Sequence, residues 1–133
     1  MTFIEPTPEQ FQRLANSAAG GPVVMVNLVR FKDRADGIDA SDGITGAEAY
    51  GRYSVAVLPF LEKVGGRVLL ALSASECVIG PAEGEWDIVL AVEYPSREAF
   101  VTMTSDPQYL EIHGHRAAAL ADSRLIACSP LAA

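Results

Sequence analysis

The chain has 133 residues, half of them hydrophobic and a fifth charged, and carries a formal charge of −7. This is ordinary globular composition, and the length suits one domain with one core. An acidic chain with no Lys/Arg run argues against nucleic acid and anionic membranes as partners, and two cysteines make no disulfide framework.

The first residues, Met1-Thr2-Phe3-Ile4-Glu5-Pro6, show no basic stretch followed by an apolar core, so no secretory signal is expected. The longest apolar run, Pro22 to Val26, is far too short to cross a bilayer. A cytoplasmic protein is the expectation.

Thr7-Pro8-Glu9-Gln10 reads as a helix start, with Thr7 as cap, Pro8 in the first turn and Gln10 closing a capping box. Phe11, Leu14, Ala15 and Ala18 give it one apolar stripe, and Gly20-Gly21-Pro22 stops it. Val23 to Phe31 reads as a strand whose two alternating sets are both mostly apolar, which predicts a central strand covered on both faces. In the polar stretch Lys32 to Gly43, Asp33, Asp36, Asp39 and Asp42 recur every three residues. A calcium loop needs ligands at alternate positions and a closing Glu, so a plain solvated loop is expected.

Thr45-Gly46-Ala47-Glu48 opens a second capped helix, expected to run to about Val64 with a kink at Pro59. Gly65-Gly66 ends it. Two apolar runs follow, Val68 to Leu72 and Trp86 to Tyr94, joined by a loop containing Gly80-Pro81 and Gly84; they read as antiparallel strands. A helix opens at Ser96, restarts at Asp106-Pro107 and is expected to reach about Asp122. Arg124 to Ser129 is read as a last short strand.

The order helix, then strand-helix-strand-strand-helix-strand, predicts an α+β fold: a ferredoxin-like four-stranded antiparallel sheet with helices on one face. Residues 1–21 form an N-terminal helical extension and residues 22–130 the core of a single domain spanning 1–133. In strand order 4-1-3-2, the central pair is formed by the two strands that are apolar on both sides. The face without helices is then apolar as well, which predicts a sheet-to-sheet homodimer.

Tyr53, Pro59, Gly65-Gly66-Arg67, Glu83-Gly84, Trp86, Glu93-Tyr94-Pro95-Ser96, Ala99, and Asp106-Pro107 followed by Tyr109 and Arg116 occur in an order that resembles the domain-of-unknown-function family thirteen-thirty, within the dimeric α+β barrel superfamily. The resemblance covers roughly residues 22–130. It implies the fold and the dimer; the superfamily includes small monooxygenases, muconolactone isomerase-like enzymes and haem-dependent relatives, so it fixes no reaction.

Tyr109, His113 and Arg116 fall at i, i+4 and i+7, one face of the last helix. Such a stripe can set a phenol, an imidazole and a guanidinium beside one pocket, Arg116 holding a carboxylate or enolate and His113 moving protons. The alternative is a solvated helix face. Tyr53 lies on the inner stripe of the facing helix and is a second candidate proton carrier. Asn27 interrupts an apolar strand face and either holds a ligand carbonyl or is satisfied structurally. Trp86 either packs or forms a ligand platform. His113 and His115, two residues apart on a helix, cannot chelate one metal.

No nucleophile elbow, phosphate-binding glycine loop or zinc spacing is present, and no cofactor is expected. Two functional readings follow. One is a cofactor-independent monooxygenase- or isomerase-like enzyme acting on a small carboxylate or phenolic compound. The other is a non-catalytic small-ligand binding or assembly protein on the same fold.

Overall fold

The computed structural model of the protein describes residues 1–131. Helix α1 (Pro8–Ala15) precedes strand β1 (Val23–Phe31), a 3-10 turn (Gly37–Asp42), helices α2 (Gly46–Ala56) and α3 (Leu58–Lys63), strands β2 (Arg67–Ser73) and β3 (Ile88–Tyr94), helices α4 (Arg97–Ser105) and α5 (Pro107–Ala119), and strand β4 (Leu120–Cys128). The strands form one antiparallel sheet in the order β2-β3-β1-β4. This is the ferredoxin-like arrangement expected, with β1 and β3 in the middle and the N-terminal helix present.

Local signals account for most boundaries. Both capping boxes form, Thr7 with Gln10 and Thr45 with Glu48. Ser96 and Asp106 cap α4 and α5 through their side chains. Pro59 divides the expected long helix rather than kinking it: α2 ends at Ala56, and α3 starts with Pro59 in its first turn, where a missing N–H costs nothing. Gly46 opens α2 tight against the end of β1. A Cβ there would lie 2.2 Å from the Lys32 carbonyl oxygen, so only glycine allows the approach.

Three expected boundaries move. Helix α1 ends at Ala15 with Asn16 as its C-cap, before Ala18 and the Gly20-Gly21-Pro22 stop. The third strand begins at Ile88, not Trp86. The last begins at Leu120, directly after α5, because Leu120 is fully buried and pairs with Phe31 while the Lys32 N–H donates to the Ala119 carbonyl. Cys77 lies in the β2–β3 loop and Cys128 at the end of β4, and both are free thiols.

On β1, Val23, Met25, Asn27 and Val29 are buried on the helix side. The intervening Val24, Val26 and Leu28 belong to the opposite face. There Leu28 lies opposite Val89, Val26 lies opposite Ala91 and Ile126, and Leu72 lies opposite Val89. Leu72 and Ile126 are 54% and 50% exposed. Among the described residues no helix is long and apolar enough to cross a membrane.

The Asp-rich segment is not the plain solvated loop expected. Asp39 is 1% exposed. Its carboxylate accepts from Arg52 (2.9 Å) and lies 2.8 Å from His115 Nδ1, while Arg52 also reaches Asp42 at 2.6 Å. A buried carboxylate needs such partners. The cluster ties the 3-10 turn to α2 and α5 and accounts for His115 without a metal. Among the described residues no group of three His, Cys, Asp or Glu could hold one.

Candidate functional site

Between the helices and the sheet lies a cavity of about 900 Å³. Asn27 on β1, Tyr53 on α2, and Tyr109, His113 and Arg116 on α5 all line it. The helical spacing of the last three thus does deliver one wall. Trp86 is not among the lining residues: its ring stacks on Arg124, whose guanidinium carbon lies 5.2 Å from the Trp86 ring and 4.8 Å from that of Phe3. Five of the six residues singled out from the sequence meet at one cavity, and Trp86 serves a cation–aromatic sandwich beside it.

The polar groups form a connected chain. The hydroxyls of Tyr53 and Tyr109 are 2.9 Å apart, Tyr109 Oη is 3.2 Å from His113 Nδ1, and His113 Nε2 is 2.7 Å from Glu5 Oε1. An ionised carboxylate only accepts, so Nε2 carries a proton and donates to Glu5. In the neutral imidazole Nδ1 then accepts from Tyr109, and Tyr109 accepts from Tyr53. Burial pushes the Tyr53 phenol well above its usual range. It also raises Tyr109, against the opposing effects of the Tyr53 hydrogen bond and the Arg116 charge. Both phenols stay protonated at neutral pH.

Arg116 is 7% exposed. Its Nη1 donates to the Ile4 carbonyl at 3.0 Å, and among the described residues it has no carboxylate within 4.0 Å. Glu93, on the helix-free face with Val24, accepts from Arg67 Nε at 3.0 Å. The Arg116 guanidinium is thus buried on the cavity wall with no carboxylate in contact, only the longer-range charge of Glu5, and keeps donor capacity for further hydrogen bonds. The Asn27 amide makes one long bond, 3.5 Å to the Met25 carbonyl, and retains hydrogen-bonding capacity toward the cavity.

Sequence reasoning did not find the strap, Phe3 to Pro6, which also lines the cavity. Its residues belong to no helix or strand, so no periodicity marks them. It is pinned by the Phe3 N–H to Asp122 (2.9 Å), by Ser123 Oγ to the Phe3 carbonyl (2.6 Å), by Arg116 and by the Glu5–His113 pair. The His113 hydrogen bond holds the Glu5 carboxyl below the ordinary glutamate range, opposed by partial burial and helped by the charges of His113 and Arg116. A depressed folded pKa contributes stability that is complete above the unfolded value and is lost as pH falls through the folded one. Glu5→Gln is therefore expected to cost about 0.5 kcal/mol at neutral pH, small because half of the Glu5 side chain meets solvent. In melting curves recorded against pH, the gap to the wild type should close below the ordinary glutamate range. A gap that persists there would mean Glu5 acts through packing.

The order of the sheet, the one-sided helices and the N-terminal helix define a ferredoxin-like α+β protein. Two solved structures share that fold at low identity. A dabb family protein with a ferredoxin-like fold from Mesorhizobium loti is 13% identical, with a TM-score of 0.55 over 84% of this chain and 99% of its own. A dimeric ferredoxin-like protein of unknown function from Thermobifida fusca is 11% identical, with a TM-score of 0.53 over 86% and 96%. The chain belongs to the family described as a domain of unknown function, DUF1330, which matches residues 40–128. A protein of unknown function from Rhodopseudomonas palustris is 42% identical over the whole of both chains, with a TM-score of 0.91. No curated protein matches the chain.

Proposed function

We propose that the protein binds a carboxylate in the helix-side cavity, with Arg116 as its anchor, and moves protons on it in an isomerase-like reaction that needs no cofactor. The observation that carries this reading is the buried Arg116 without a carboxylate partner, sharing a cavity with the Tyr53–Tyr109–His113–Glu5 chain. The chain suits proton transfer in both directions. As a C–H proton of the ligand passes to Tyr53 Oη, the Tyr53 hydroxyl proton passes to Tyr109, and the Tyr109 proton passes to His113 Nδ1. The ligand becomes an enolate facing Arg116, and His113 becomes an imidazolium facing the Glu5 carboxylate. The reverse transfer returns a proton to the ligand, at the same carbon or at another. Asn27 is assigned to a ligand carbonyl. This proton traffic favours acid–base chemistry over oxygenation.

The working form is a homodimer. The Thermobifida fusca neighbour is described as dimeric. The helix-free face of this sheet carries Val24, Val26, Leu28, Val89 and Ile126, an apolar surface suited to a second copy.

Exchange of the α-hydrogens of 2-oxo and 3-oxo acids in D2O, followed by NMR, tests the catalytic reading. The wild type should accelerate exchange, and Tyr53→Phe should slow it by about a hundredfold or more with binding retained, the usual range for losing a general acid–base. Binding of the acids with no acceleration by the wild type would leave a non-catalytic binding protein.

A further inference from the structure

We infer that the ligand is an amphipathic acid, a carboxylate head on a long or polycyclic apolar body, rather than a small acid. This rests on the carboxylate reading above and extends it to the opposite end of the cavity.

Asn27, Tyr53, Tyr109, His113 and Arg116, the groups assigned to the carboxylate, are gathered at one end of the cavity. Asn27 and Ser123 stand on neighbouring strands, Asn27 facing Leu125 and Val29 facing Ser123 across the β1–β4 ladder. Arg116 and His113 enter from α5 on the same side, and Tyr53 packs against both hydrophobic clusters. Met25 precedes Asn27 by two residues, about 7 Å along β1. Around Met25 and its ladder partner Val92 the walls are mainly apolar, with Val57, Leu61, Phe100 and Met103; Thr104 and the α1 residues Gln10, Arg13 and Ser17 are the polar exceptions. A volume of about 900 Å³ stands at the upper end of the range for drug-sized ligands. An acid of two to four carbons held on Arg116 leaves most of that space to water against aliphatic and aromatic walls. An apolar body on the carboxylate covers those walls and gains the free energy of leaving water.

Titration calorimetry with straight-chain carboxylates from acetate to dodecanoate, and with the alcohols of matching length, separates the two ideas. Affinity should climb about fourfold per methylene until the cavity is filled, with each alcohol weaker than its acid. Val92→Phe, at a wall position paired with Met25, should shift the preferred length to shorter acids. Leu58→Trp, at an exposed rim position, is the second variant should the first fold poorly. Acids that bind with an affinity independent of length would overturn the amphipathic ligand and leave Arg116 as an anion site. Alcohols that bind as tightly as acids, with the same dependence on length, would overturn the carboxylate head and leave the apolar tail.

Discussion

Replacing Arg116 by alanine is expected to weaken binding of a carboxylate about a hundredfold while moving the melting temperature by no more than a few degrees. The guanidinium fork can give a carboxylate two parallel charge-assisted hydrogen bonds. Their loss is worth about 3 kcal/mol, or about a hundredfold in Kd. The stability effect is small because two terms oppose each other. The bond to the Ile4 carbonyl disappears, but so does the cost of burying a positive charge with no carboxylate beside it. Arg116→Lys keeps the charge and loses the fork, and should fall between the two. Calorimetric titration alongside thermal melts decides the matter. A large fall in melting temperature with binding intact would make Arg116 a strut between α5 and the strap.

The second large effect is expected at the bare face of the sheet. Val89→Asp should convert a dimer into monomers, or leave the chain unfolded, because it sets a carboxylate among apolar side chains, between Leu28 and Leu72. A standard interface buries about 800 Å² per partner, and a central unpaired charge costs more than the apolar contacts around it return. Val24→Asp, on the same face, should act in the same direction. Light scattering at micromolar concentration reads the outcome. A wild type that is monomeric there would end the dimer proposal, and the apolar face would need another cover.

Much of the fold was legible because the sequence repeats its information. Val23 to Phe31 is apolar on both alternating sets, which only a central strand tolerates, and Thr7-to-Gln10 and Thr45-to-Glu48 mark helix starts by local hydrogen bonding alone. Ala117-Ala118-Ala119-Leu120-Ala121-Asp122 misled, since small residues suit helix and strand equally well; burial of Leu120 beneath α2 decided the break at a distance no local pattern reports. Asp39 looked like one of four solvated acids because its partner His115 lies 76 residues away. On α5, Tyr109, His113 and Arg116 could be placed on one face by spacing. Glu5, which completes their chain, lies 108 residues from His113 and could not. Trp86 carried no periodic signal, and its stacking on Arg124 depends on Phe3 arriving from the other end of the chain.

The place of β1 in the sheet bears on how the protein is made. Val23 pairs with Tyr94 and Val24 with Cys128, so the central strand finds both neighbours late. As the chain leaves the ribosome, β1 emerges first with both faces apolar and no strand to pair with, while β2 and β3 can close as a hairpin on their own. Pairings this distant in sequence slow folding, and the wait leaves an aggregation-prone segment exposed. Nascent chains halted before Leu120 should therefore depend on chaperones, and completion of the sheet should coincide with release of the last strand.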